Sequence, residues 1–183
     1  MKNWDTIQRI ALGSHGIVTF AQARSAGVFP AEIYRWCKNE RLMRIGRGVF
    51  RLTAYPSQGF VSDMASLLAL SGQGAYLCGE SALALYDLCP TRSYVAVIAV
   101  PGRFRKTSIP KGVTIVKSPK GYSPTYHDGI PCQKPMDAIR FCIGTLEKKS
   151  LIDAVNEAED KGYFMAAEAE EMRKEIEHGK ATA

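Results

Sequence analysis

The chain has no stretch of eighteen consecutive apolar residues, which excludes a membrane-spanning helix of ordinary length. Its start, MKNWDTIQRIALG, lacks the long apolar core of a secretory signal, so the expected location is the cytoplasm. It has no C-x-x-C pair, and its three histidines, His15, His127 and His178, stand too far apart to complete a zinc site of the usual spacing. The five cysteines, Cys37, Cys78, Cys89, Cys132 and Cys142, are odd in number and embedded in apolar runs, the pattern of reduced core thiols. No repeat and no low-complexity segment interrupts the chain.

The signatures of catalysis are also missing. Gly72-Gln73-Gly74 lacks the preceding strand and the third glycine of a dinucleotide fingerprint. Ser81 resembles half of a nucleophile elbow, but Leu83 takes the place of the second glycine. A magnesium-dependent nuclease needs clustered carboxylates, whereas Asp87 and Asp128 near the strands have no acidic or lysine partner at short spacing. The expectation is therefore no enzyme, no metal and no cofactor.

What the chain does have is charge, unevenly spread. Residues 1–58 hold nine cationic and three anionic side chains, residues 59–146 nine and five, and residues 147–183 six and ten. The positive excess is densest at the N-terminal end, the footprint expected of a nucleic-acid-binding head. A length of 183 residues suits two domains.

Residues 16–52, GIVTFAQARSAGVFPAEIYRWCKNERLMRIGRGVFRL, read as a complete DNA-docking unit. Thr19 followed by Gln22 is a capping-box pattern that opens a short helix to residue 26, and Gly27 stops it. Pro30 sits where a first helical residue would be, so a second helix runs over residues 30–39. Two apolar runs, residues 42–45 and 49–52, are joined by Gly46-Arg47-Gly48, a hairpin signal. Helix, turn, helix and hairpin make a winged helix-turn-helix, completed by a first helix over residues 3–12 with Trp4, Ile7 and Ile10 facing the core.

At 100° per residue, Pro30, Ile33, Tyr34 and Cys37 are placed on the core side of the second helix. Ala31, Arg35, Lys38 and Asn39 are placed opposite, with Glu32 at the edge. Arg35 suits a guanine, Asn39 an adenine and Lys38 a phosphate. Arg41, Arg44, Arg47 and Arg51 line the wing, and Thr19 at the helix start completes the candidate DNA-binding set. Winged helices also serve as protein-docking modules; the charge favours DNA.

Thr53-Ala54-Tyr55-Pro56-Ser57-Gln58-Gly59 has linker chemistry and sets the expected boundary, with residues 1–58 as the winged helix and 59–183 as a second domain. In the latter, helices are expected near residues 60–70, 79–86, 136–145, 151–161 and 164–177. Strands are expected at 94–100, 113–116 and 130–133, with a short apolar run at 75–78 and a turn-rich stretch at 122–130. The fold class is α+β: a winged helix followed by a mixed α/β domain, a small sheet flanked by helices. Arg103, Arg105 and Lys106 form a second basic patch, either a solvated hairpin tip or a further phosphate contact. The acidic residues after Glu147 are either the solvated faces of two helices or a surface for a basic protein.

The residues Gly16-Ile17-Val18-Thr19, 21–27, Ile33-Tyr34-Arg35, Arg41-Leu42 and Gly46-Arg47-Gly48-Val49-Phe50-Arg51-Leu52 resemble the N-terminal winged helix of AbiEi-type antitoxins. Gly79-Glu80-Ser81-Ala82-Leu83-Ala84-Leu85-Tyr86, the strand ending at Val100-Pro101 and the Ile130-Pro131 step resemble that family's C-terminal antitoxin domain. The resemblance implies an antitoxin of a type IV toxin-antitoxin, or abortive infection, system that represses its own promoter. It implies double-stranded DNA with inverted repeats as one partner. The functional partner it implies is a nucleotidyltransferase-like toxin, opposed without need of a stable complex. A monomer in solution is expected. Two alternatives stay open: a transcriptional regulator whose second domain senses a ligand or dimerises, and a winged-helix nuclease.

Overall fold

The computed structural model describes residues 2–89, 95–102, 109 and 111–179. Arg103, Arg105 and Lys106 lie outside the described residues. The chain divides into two compact units, Met1–Gln73 and Gly74–Ala183.

The first unit runs α1 (Lys2–Leu12), β1 (Ile17–Thr19), α2 (Phe20–Ser25), α3 (Pro30–Lys38), β2 (Leu42–Gly46), β3 (Val49–Leu52) and α4 (Gly59–Ser71). Its three strands form an antiparallel sheet in the order β1-β3-β2. This is the winged helix-turn-helix expected from the sequence, with one element added: β1, whose three residues are too short to show alternation and which exists because Val18 pairs with Phe50 across the sheet. Ile7, Val18, Ala23, Val28, Ile33, Trp36, Leu42, Phe50 and Leu52 form the core, with Trp4 and Ile10 packed against it.

The unit does not end at the expected linker. It continues through α4, because β3 is the central strand and all four of its residues are buried. Phe50 and Leu52 face the core formed by α1 and α3, so by strand alternation Val49 and Arg51 face the other way. The side chain of α4 residue Ser62 meets Arg51 there, and Leu70 lies so close to Gly46 that a Cβ at Gly46 would stand 2.1 Å from its Cδ2.

The second unit contains β4 (Tyr76–Leu77), α5 (Glu80–Leu85), β5 (Ala96–Val100), β6 (Val113–Lys117), β7 (Thr125–His127), β8 (Ile130–Cys132), α6 (Pro135–Cys142), α7 (Lys148–Asp160) and α8 (Ala166–His178). The sheet order is β6-β5-β4-β8-β7. β4 runs antiparallel to β5 and parallel to β8, β5 is parallel to β6, and β7 is antiparallel to β8. The turn-rich stretch proves to hold β7, joined to β8 by Asp128-Gly129 with φ of 48° and 74°. Two successive positive φ angles make this a type I′ hairpin turn, the geometry that Asp-Gly favours. The class is α+β, a mixed sheet with helices.

Polar groups in this unit are matched where they are buried. The Gln133 side-chain oxygen accepts the Gly79 amide at 2.8 Å, and Tyr76 and Ser118 share a buried hydroxyl pair at 2.8 Å. The Ser81 hydroxyl, buried, accepts the Val97 amide at 2.8 Å, so it links α5 to β5 and is no exposed nucleophile. Burial pushes the Cys78 and Cys142 thiols up to about 12, which keeps both protonated and inert.

Candidate nucleic-acid interface

The helix-turn-helix is built from local capping. Thr19 has extended backbone, its Oγ1 accepts the Gln22 amide at 3.2 Å, and the Gln22 side chain accepts the Thr19 amide at 2.8 Å. The Thr19 hydroxyl also donates to that side chain at 3.0 Å, so its hydrogen-bonding capacity is spent on starting α2. At the other end, Val28 N–H donates to the Ala23 carbonyl and Gly27 N–H to that of Arg24, at 2.9 and 3.0 Å. These two bonds are a Schellman motif, and it requires the left-handed φ of 76° that Gly27 supplies. Pro30 then begins α3.

Glu32 does more at the start of α3 than stand at an edge. Its carboxylate accepts the Phe29 amide at 3.3 Å and the Asn3 side-chain Nδ2, which lies 2.9 and 3.1 Å from its two oxygens. It is thereby a clasp between α1 and α3, and it lies 3.8 Å from Arg35 Nη2. Two donors, the Phe29 amide and Asn3 Nδ2, hold Glu32 in this structural role.

Along α3, Ile33 and Trp36 are buried and Cys37 is half-buried. Trp36 packs edge-on against Trp4 with centroids 5.2 Å apart. The placement of Tyr34 and Pro30 on the core side is overturned: Pro30 is exposed and Tyr34 is 55% exposed. The inward face is centred on Ile33 with Trp36 and Cys37 three and four residues on, which rotates Tyr34 out. Ala31, Tyr34, Arg35 and Lys38 therefore form one exposed stripe at i, i+3, i+4 and i+7. The Arg35 side chain is 64% exposed. Asn39 is exposed as well, but it is the C-cap, its amide donating to the Arg35 carbonyl at 3.0 Å.

The wing joins β2 to β3 through Arg47-Gly48, and Gly48, at φ 71°, presents its carbonyl to the Phe20 amide at 2.8 Å. That bond ties the wing turn to the start of α2. Arg47 is exposed at the tip. Arg44, exposed, donates from Nε to the Gly46 carbonyl at 3.2 Å. Burial raises the Cys37 thiol above its ordinary value while the Arg44 charge opposes the shift. Arg41 is exposed and lays its guanidinium over the Trp4 ring at 5.2 Å.

Arg51 is the clear exception among the wing arginines. It is 2% exposed. Its Nη1 donates to the His15 and Tyr55 carbonyls and to Ser62 Oγ, and its Nη2 to the Ser62 carbonyl and Ser66 Oγ, at 2.5 to 3.4 Å. It cannot reach DNA. It pins α4 and the chain after β3 to the back of the sheet.

The residues considered for other chemistry are engaged elsewhere. The exposed Asp87 carboxylate pairs with Lys161 at 3.3 Å, and Asp128 occupies the β7–β8 turn. Among the described residues, no group of three or more His, Cys, Asp or Glu is arranged to hold a metal ion. Likewise, no described helix is long and apolar enough to cross a membrane. Several acidic residues of α7 and α8 are paired within the unit: Glu157 with Lys161, Glu159 with Arg173, Glu170 with Lys174 and Glu175 with Arg140.

Residues 5–53 match a family model described as transcriptional regulator, AbiEi antitoxin. The match covers the helix-turn-helix and the wing and stops before α4. No curated protein matches the chain. That description names regulators and antitoxins. With its helix order and its three-stranded wing sheet, the N-terminal unit is similar over residues 5–53 to the AbiEi antitoxin family of transcriptional regulators.

Proposed function

We propose that this chain is the antitoxin of a type IV toxin-antitoxin system and represses its own promoter through the winged helix. The observation that carries the DNA half is the exposed α3 stripe holding Arg35 and Lys38, with Arg41, Arg44 and Arg47 exposed beside it. Exposed cations on the helix stripe and on the wing are the groups that neutralise duplex phosphates, and an α-helix fits the major groove. Arg35 reads a base edge, Lys38 and Arg47 neutralise phosphates, and Ala31, Asn39, Arg41 and Arg44 border the contact. Thr19, Glu32 and Arg51 hold the unit together.

The test is binding of the full chain to DNA upstream of its own gene, over a series of salt concentrations. Arg35→Ala should weaken the preferred sequence by roughly 1–3 kcal/mol and flatten sequence preference, while Arg47→Ala should weaken all sequences alike and reduce the salt slope by about one. Equal binding by wild type and Arg35→Ala would remove the stripe from the interface.

The antitoxin half rests on the description of the family that residues 5–53 match; its assignment to the second unit, which that match does not reach, is part of the proposal. Co-expression with a nucleotidyltransferase-like product of the adjacent gene should show rescue by the wild type and by the Arg35→Ala, Arg47→Ala double variant alike. Operator binding without rescue would instead assign a plain transcriptional regulator.

A further inference from the structure

We propose that Tyr34 reads the 5-methyl group of a thymine through the edge of its ring; this rests on the DNA-binding reading above. Tyr34 is a large aromatic on the exposed stripe of α3, and exposing it costs apolar burial that the core could have used. It is not free to swing. Its ring packs edge-on against Phe20 at 5.8 Å and 68°, and Phe20 packs edge-on against the buried Phe50 at 5.0 Å and 85°. Phe20 in turn abuts the wing, since a Cβ on Gly48 would stand 3.2 Å from its Cδ2. Tyr34 is thereby held on the side of the stripe that faces the wing turn.

At 100° per residue, Tyr34, Lys38, Ala31 and Arg35 occupy a strip about 100° wide. Ala31 lies one turn before Tyr34 and Arg35 and adds only a methyl group to the stripe. A fixed ring edge and a methyl group, flanked by two cations that hold the duplex close, make an apolar reader inside a charged face. In the major groove the one apolar group that distinguishes a base pair is the thymine methyl. Solvated lysine or arginine at position 34 would offer no such discrimination.

The experiment uses the full chain and duplexes enriched by it from a random pool, with each thymine replaced in turn by deoxyuridine, which deletes only the methyl. Wild type should lose about 3- to 5-fold in affinity at one thymine of the site, the transfer value of one methyl group. Tyr34→Ala should bind the thymine and uracil duplexes equally at that position. Tyr34→Phe should keep the discrimination, since the ring and not the hydroxyl is the reader. Retained folding is checked by tryptophan fluorescence, as Trp4 and Trp36 both lie in the first unit. The proposal is overturned if wild type shows no thymine preference anywhere, if Tyr34→Ala keeps it, or if Tyr34→Phe loses it, which assigns the discrimination to the hydroxyl and not to the ring. Failure to enrich any duplex would overturn the DNA-binding reading as well, whereas enrichment without thymine dependence overturns this inference alone.

Discussion

Replacing Arg51 by alanine separates a wing that touches DNA from a wing that is held in place. The guanidinium makes five hydrogen bonds, all to neutral oxygens. Bonds from a charged donor are worth more than neutral ones, but burying the cation costs part of that gain, and water entering the truncated site re-pairs some of the oxygens. The balance is a loss of about 3 kcal/mol from the first unit. A unit of this size has a urea slope of about 1 kcal/mol per molar, so the midpoint should fall by about 3 M, or the unit should be unfolded without urea. Both tryptophans, Trp4 and Trp36, lie in that unit, so fluorescence follows its unfolding apart from the second unit. Arg51→Lys should recover only part of the loss, because one ammonium cannot span Ser62, Ser66 and two carbonyls together. A fluorescence midpoint for Arg51→Ala close to wild type, together with a salt slope for DNA binding reduced by about one, would refute the assignment and return Arg51 to the interface.

Two further outcomes concern the second unit. Arg140 donates to both Glu175 oxygens at 2.8 Å, and that pairing holds the Glu175 carboxyl below its usual range. A depressed carboxylate stabilises above its unfolded value near pH 4.3 and loses that contribution as pH falls through the folded value. Wild type should therefore exceed Glu175→Gln by about 1 kcal/mol at neutral pH, with the gap closing below about pH 4, as read by amide exchange in α6 and α8. Gly79 adopts φ 54° and ψ −134°, and a Cβ there would stand 2.7 Å from Phe141 Cδ1. Gly79→Ala should destabilise the second unit by about 2–4 kcal/mol, seen as an earlier far-ultraviolet circular dichroism transition with the tryptophan transition unchanged.

The sequence by itself determined the parts whose causes lie within a few residues. Thr19 with Gln22, Gly27, Pro30 and Gly46-Arg47-Gly48 place the helix ends and the wing turn, since capping and turn chemistry act over two to five positions. The charge excess of the first 58 residues and the motif order pointed to the same face that the structure exposes. Tertiary structure decided three matters that depend on distant partners. Arg51 alternates with core residues as a solvent-facing wing residue would, and only α4, folding over the back of a central strand, turns it inward. The phase of α3 is ambiguous over nine residues, and the packing of Trp36 against Trp4 on α1 is what rotates Tyr34 into the exposed stripe. Glu32 looks available until Asn3, twenty-nine positions away, takes both of its oxygens. Local signals fix where elements begin and end; which side of an element meets solvent is settled by what else packs there, and in this unit that choice separates the exposed side chains from those that hold them in position.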